Sequence, residues 1–269
     1  MPLRRALAAF ALMSAFSAPA GALDCAAPAI ADRIAAIPAR GEVLLESGVL
    51  ARLAGVRLAD AGPVGADARA EMDGLVGARI AVALLDAEPD RWGRRAAAIA
   101  LPADEGAAPT RDLAADLVTR GLALVDAGAA DGLCRPGLLD LEEGARRAGR
   151  GLWADSAERP VSAGDVAALT ARAGRFTLVE GVVARVGERE RRTYLDFSRS
   201  WSNGFTAVVP DDVWTRLVAS GLDAGALEGR RMRVRGIIEV WRGPALTITA
   251  VEMIEILSSN SAEPRRSLP

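Results

Sequence analysis

Apolar and polar positions alternate in two separate runs of the chain, and each run predicts its own set of elements. GEVLLESG and VLARLAGV, within 41–60, read as strands joined by a hairpin turn at Ser47-Gly48. PVGADARAEMDGLVG (63–77) has helical spacing, with Ala70, Met72 and Leu75 as the inward contacts. ARIAVALLDAEPD predicts a strand, DRWGRR (90–95) a turn anchored by Asp90 and Trp92, and RAAAIALPA the next strand. TRDLAADLVTRGLALV (110–125) predicts a helix capped by Thr110 and ended near Gly121. LLDLEEGARRAGRGLW (138–153) predicts another, closed by Gly149 and Gly151, with Glu142 and Glu143 on a solvated face, paired with Arg146 and Arg147 at helical spacing. The Ala-rich stretch 23–40 reads as a short helix or a loosely docked arm.

The polar, proline-containing ADSAERPVSAGD (154–165) interrupts this run and marks a domain boundary. Beyond it, RFTLVEGVVARV, TYLDF and GFTAVVP predict three strands, DDVWTRLVASG (211–221) a short helix, and RRMRVRGIIEV and ALTITAVEMIEIL two more strands. Three strands, a helix and two strands fit a small five-stranded barrel of the oligonucleotide-binding type. The resulting division is a leader at 1–22, an arm at 23–40, a first domain at 41–155, a linker at 156–170, a second domain at 171–258 and a disordered tail at 259–269.

Composition narrows the chemistry. The 269 residues contain neither Lys nor His, so all 33 basic residues are Arg. That removes a Ser-His-Asp triad and any His-ligated metal. Two cysteines cannot complete a tetrahedral Cys/His zinc site. Residues 23–159 hold 16 Arg against 22 acidic residues, and 160–269 hold 15 against 13, so neither half is strongly basic. MPLRR, the 11-residue apolar run ALAAFALMSAF and Ala20-Gly21-Ala22 have the layout of a secretory signal peptide. The expectation is an exported protein, periplasmic or secreted, from a bacterium, with no stable membrane span after cleavage. In an oxidising compartment, Cys25 and Cys134 suggest one disulfide rather than two free thiols.

RLAGVRLAD (52–60), DRWGR (90–94), LVTRGLA (117–123) and GARRAGRGLW (144–153) occur in an order and spacing that resembles the staphylococcal nuclease (thermonuclease-like) domain over 41–153. The resemblance implies an α+β fold, a five-stranded barrel with three helices, followed here by the second, smaller barrel. It also implies calcium-dependent phosphodiester cleavage, with calcium on hard carboxylate oxygens, a Glu as general base and two Arg on the phosphoryl oxygens. Carried across, Arg52 and Arg94 take the two Arg positions, and Asp60 takes the general-base position, one methylene shorter and preceded by Ala59. Arg57 takes a metal-ligand position, and another ligand position falls near Gly41. The site therefore reads as degenerate: no metal ligands, no cofactor, and little or no nuclease activity. Binding of nucleic acid, another anionic ligand or a protein replaces it, with Arg57 pairing with Asp60 or gripping an anion. One alternative is an active secreted phosphodiesterase using Asp60 with Arg52 and Arg94, with calcium held by a displaced Glu42 or Glu46. Another is an envelope protein-interaction module.

In the second domain, Arg231, Arg233 and Arg235 alternate with Met232 and Val234, which predicts an arginine-lined outer face over an apolar inner one. Leu195 and Phe197 should point inward and Tyr194 outward. Exposed aromatics beside arginines suggest a surface for single-stranded nucleic acid, with Tyr194 and the three arginines as ligand contacts; the alternative is an outward strand face neutralised by Glu228, Glu239 and Asp196, with the aromatics filling a small core.

Overall fold

The computed structural model describes residues 25–38, 41–102, 109–130, 132–155, 159–199 and 204–257. The leader, the tail and Trp201 lie outside them. The strands are β1 (Ile30–Ala36), β2 (Val43–Leu45), β3 (Leu50–Leu53), β4 (Val56–Leu58), β5 (Arg79–Leu84), β6 (Arg94–Pro102), β7 (Pro109–Asp112) and β8 (Ala123–Val125) in the first half. The second half adds β9 (Val161–Ser162), β10 (Phe176–Val182), β11 (Arg185–Arg189), β12 (Arg192–Asp196), β13 (Thr206–Pro210), β14 (Arg231–Ile237), β15 (Glu239–Val240), β16 (Pro244–Thr247) and β17 (Ile254–Ile256). The helices are α1 (Gly62–Asp73), α2 (Leu113–Thr119), α3 (Leu138–Arg147), α4 (Val166–Thr170), α5 (Asp211–Ala219) and α6 (Ala224–Leu227). Among the described residues no helix is long and apolar enough to cross a membrane.

The expected pair of five-stranded barrels is corrected in both halves. The first half is a curled six-stranded sheet in the order β3-β2-β1-β5-β6-β7, in which β3 also meets β6 in parallel. β7 continues it as an edge strand, and β4 leaves it to pair with β8. The second half splits into a four-stranded sheet, β17-β14-β10-β9, and a five-stranded sheet, β11-β12-β13-β16-β15. Val179, Met232 and Val234 from the former and Leu195, Ala207 and Leu246 from the latter share one core.

Several local expectations change for identifiable reasons. The Ala-rich 23–40 stretch supplies β1, not a helix, because Ile34 is fully buried there and the strand joins β2 to β5; tertiary pairing overrides alanine's helix propensity. On α1 the inward small residue is Ala68, not the exposed Ala70. Asp112, not Thr110, caps α2: its carboxylate accepts the Ala115 N–H at 2.6 Å. The stretch read as a linker contributes β9, which pairs with β10, and α4, capped by Asp165. The disulfide forms, joining Cys25 ahead of β1 to Cys134 ahead of α3.

β14 is buried on both faces, and this decides how the halves meet. Met232 and Val234 enter the core as expected. Arg233 and Arg235 do not face solvent: they are 5 % and 0 % exposed, because their face docks on α3 and β8. Arg235 donates to the Val125 carbonyl at 3.0 Å and pairs with Glu142 at 2.8 Å and with Glu255. Glu142 in turn accepts the Val125 N–H at 2.7 Å. Arg233 pairs with Glu180, Glu143 and Glu255, Arg231 with Glu180, and Arg146 with Glu143 and Glu180. The expected nucleic-acid face on Arg231, Arg233 and Arg235 is therefore corrected to an internal ion network.

Glu180 is the hub of that network. Burial works to raise its pKa, but the hydrogen bonds and charges of Arg233, Arg231 and Arg146 outweigh burial and hold it below the ordinary 4.5. A carboxylate lowered in the folded state adds stability that is full above its unfolded value and disappears as pH falls through the folded one. Acid titration of unfolding should show stability dropping below about pH 4.5, and Glu180→Gln should flatten that drop. An unchanged acid profile in the variant would count against the hub role.

Candidate functional site

The chain leaves the curled sheet at Gly55, and a cleft opens there. Gly55 has a φ of 74°, and a Cβ on it would come within 2.7 Å of Leu133. This left-handed residue ends β3 and sends β4 away to β8. The cleft, about 1080 Å³, lies between β3, β4, the 90–94 turn and α1. Arg52, Arg57, Asp60, Arg94, Glu42 and Trp92 all line it.

β3 and β6 set the two catalytic-type arginines side by side. Leu50 pairs with Arg94 and Arg52 with Ala96 in parallel register, so Arg52 and Arg94 share one face two residues apart. Ala51 and Leu53, on the other face of β3, are buried. Arg94 is held firmly. Asp90 accepts its backbone N–H at 3.0 Å and its Nε–H at 2.9 Å, and also accepts the Trp92 N–H at 3.0 Å. Glu42, 8 % exposed, pairs with Arg94 at 3.4 Å. Asp90 is thus the turn residue expected, and it also aims Arg94.

Arg52 differs. It is half-buried and makes no hydrogen bond or ion pair with any described residue. Burial chiefly lowers its pKa, against the charge of Asp86; Arg94 adds to the lowering, and Asp90 and Asp126 oppose it. It stays a cation, since a guanidinium does not deprotonate in proteins.

Arg57 shares the cleft wall but not the role foreseen for it. Its Nε and Nη2 donate to Asp126 at 3.1 and 2.8 Å, not to Asp60. Its guanidinium also lies 5.1 Å from the centre of the Phe176 ring in the second half. Asp60 is exposed at the cleft rim. Trp92, expected as a turn anchor, lies in the turn 54 % exposed at the mouth, with the guanidinium of Arg91 at 3.9 Å and that of Arg94 at 4.7 Å from its ring. Its place between two arginines in the turn is the signal that could have identified it.

Calcium does not fit these residues. Among the described residues no three Asp, Glu or Cys side chains converge to hold a metal. Glu42 is occupied by Arg94 and Asp126 by Arg57, which leaves Asp60 alone, whereas calcium takes about 6–8 oxygens. The thermonuclease and oligonucleotide-barrel readings are therefore corrected by the sheet order and by the missing ligand set. No family model matches the chain, and no curated protein matches it.

Of the second-half residues, Tyr194 does reach solvent, in a separate groove on the five-stranded sheet. Leu195 is buried, and Phe197 packs against the core and against Phe205.

Proposed function

We propose that the chain binds an oxyanion group, a phosphate or carboxylate borne by a larger ligand, in the cleft at Arg52, and that it does so without a metal ion. The observation that carries this reading is the half-buried guanidinium of Arg52, which makes no hydrogen bond or ion pair with any described residue. Removing a cation from water without a partner is costly, and an incoming oxyanion supplies the missing acceptors in the bidentate geometry that guanidinium favours. Arg94, aimed by Asp90 and lying on the same face, is the second contact, and Trp92 walls the mouth. The basic, apolar leader and the disulfide support an exported site of action.

Thermal unfolding of the purified chain with inorganic phosphate, in calcium and in chelator, tests the reading. Phosphate should stabilise the protein equally in both, by about 2.7 kcal/mol at a hundredfold excess over Kd. In Arg52→Met the phosphate effect should vanish while the unliganded protein stays within about 1 kcal/mol of the parent, because the half-buried charge that leaves has no hydrogen-bonded partner among the described residues. Retention of the effect in Arg52→Met would remove the proposal. Calcium-dependent cleavage of a phosphodiester, lost in both Asp60→Ala and Arg94→Ala, would replace binding with hydrolysis.

A further inference from the structure

The groove that contains Tyr194 is built from residues that the cleft does not use. The five-stranded sheet turns Val186, Leu195, Ala207 and Leu246 toward the core and the alternate residues outward. On that outer face Gly187 stands opposite Tyr194, and Tyr194 opposite Val208. Because Gly187 has no side chain, and a Cβ there would come no nearer than 4.0 Å to Tyr194, one flank of the Tyr194 ring is left open. The β15–β16 hairpin closes the far side of a concavity of about 530 Å³, bringing up Trp241, 58 % exposed, and Arg242. The hairpin is pressed against the sheet at Gly243, where a Cβ would lie 2.8 Å from the Gly204 carbonyl oxygen. Arg185 and Arg189, both on β11, complete the rim.

The lining carries more guanidiniums than carboxylates. Asp196 is the one carboxylate among the lining residues; it is buried and already accepts Arg185 at 2.8 Å and the Thr206 hydroxyl at 2.9 Å. Arg189 is exposed and donates to the carbonyl of its neighbour Glu188. Two aromatic faces beside the exposed guanidinium of Arg189 select a ring by stacking and an anionic substituent by charge. We infer that this groove is a second binding site, specific for a ring-bearing anion of small-molecule size, with the ring against Trp241 and Tyr194 and the anionic group at Arg189 and its neighbours. Nucleoside monophosphates and uronic-acid sugars share this chemistry.

Calorimetric titration of the full chain with adenosine monophosphate and with a glucuronate-containing disaccharide tests the site, with adenosine, cellobiose and inorganic phosphate as controls. At least one charged ring compound should bind about tenfold or more tighter than its neutral counterpart and than phosphate in this groove. Trp241→Ala and Arg189→Gln should each weaken it about tenfold or more. Both side chains are exposed, so the unfolding midpoint should stay in place. Arg52→Met should leave this affinity unchanged, which separates the groove from the cleft. Failure of both charged ring compounds to bind, or binding indifferent to Trp241→Ala, overturns the inference.

Discussion

Replacing Arg235 with methionine should lower the stability of the folded chain by about 3–5 kcal/mol, measured by urea unfolding at neutral pH. The methionine fills much of the space, so the loss comes from charge and hydrogen bonding. Arg235 is fully buried, and its removal leaves Glu142, 1 % exposed, without its cation and the Val125 carbonyl without its donor. Burial alone would push the Arg235 guanidinium toward neutrality, but Glu142 and Glu255 outweigh it and raise its pKa. A buried ion network need not outperform a well-packed apolar patch, yet breaking one member strands the rest. Arg235→Met combined with Glu142→Gln should therefore recover part of the loss. A single variant within about 1 kcal/mol of the parent, the size of an ordinary neutral hydrogen bond, would show that the network is dispensable.

Loss of the disulfide is the second large effect. Cys25 and Cys134 are 109 residues apart, and in the chain-entropy model closing a loop of that length contributes about 4–5 kcal/mol. The tether fixes the chain just ahead of β1, which lies between β2 and β5 in the sheet, so its release weakens an interior strand and not a fraying edge. At the other end, Arg135 pairs with Asp112, the cap of α2, and Leu133 packs beside Gly55 where the cleft opens. Urea midpoints with and without reductant should differ widely for the parent. Cys25→Ser/Cys134→Ser should match the reduced parent and ignore reductant. Coincident midpoints for the oxidised and reduced parent would remove the bond from the stability of the fold.

What the sequence disclosed follows from how local each signal is. The hairpin at Ser47-Gly48, the 90–94 turn, the helix stop at Gly121 and the pairing of Cys25 with Cys134 depend on short-range chemistry or a simple count, and each is present. Strand parity placed Tyr194 outward and Leu195 inward correctly, because alternation is a property of one strand. The same parity misled at Arg233 and Arg235. It separates two faces but does not say that the polar one meets water, and here that face meets carboxylates from α3 and β17. Arg57 shows the same limit: its partner Asp126 is 69 residues on, and no spacing rule reaches that far. The groove was missed apart from Tyr194, because Arg185 and Arg189 come from β11, Tyr194 from β12 and Trp241 from the β15–β16 hairpin.

The short strand β8 gives the polar stretch at 154–165 another meaning. Three successive residues on or beside it join two neighbours: Leu124 pairs with the Arg57 backbone, the Val125 carbonyl accepts Arg235 from the second half, and Asp126 holds the Arg57 head group. Two residues further, the Gly128 carbonyl accepts the Thr249 hydroxyl. A chain cut near residue 155 would strip one side from this strand and expose Glu142 and Glu143 without Arg233 and Arg235. The two halves are successive in sequence but joined by hydrogen bonds and ion pairs across β8, α3 and β14. The wall of the first half's cleft at Arg57 thus rests partly on β8 and on Phe176 of the second half.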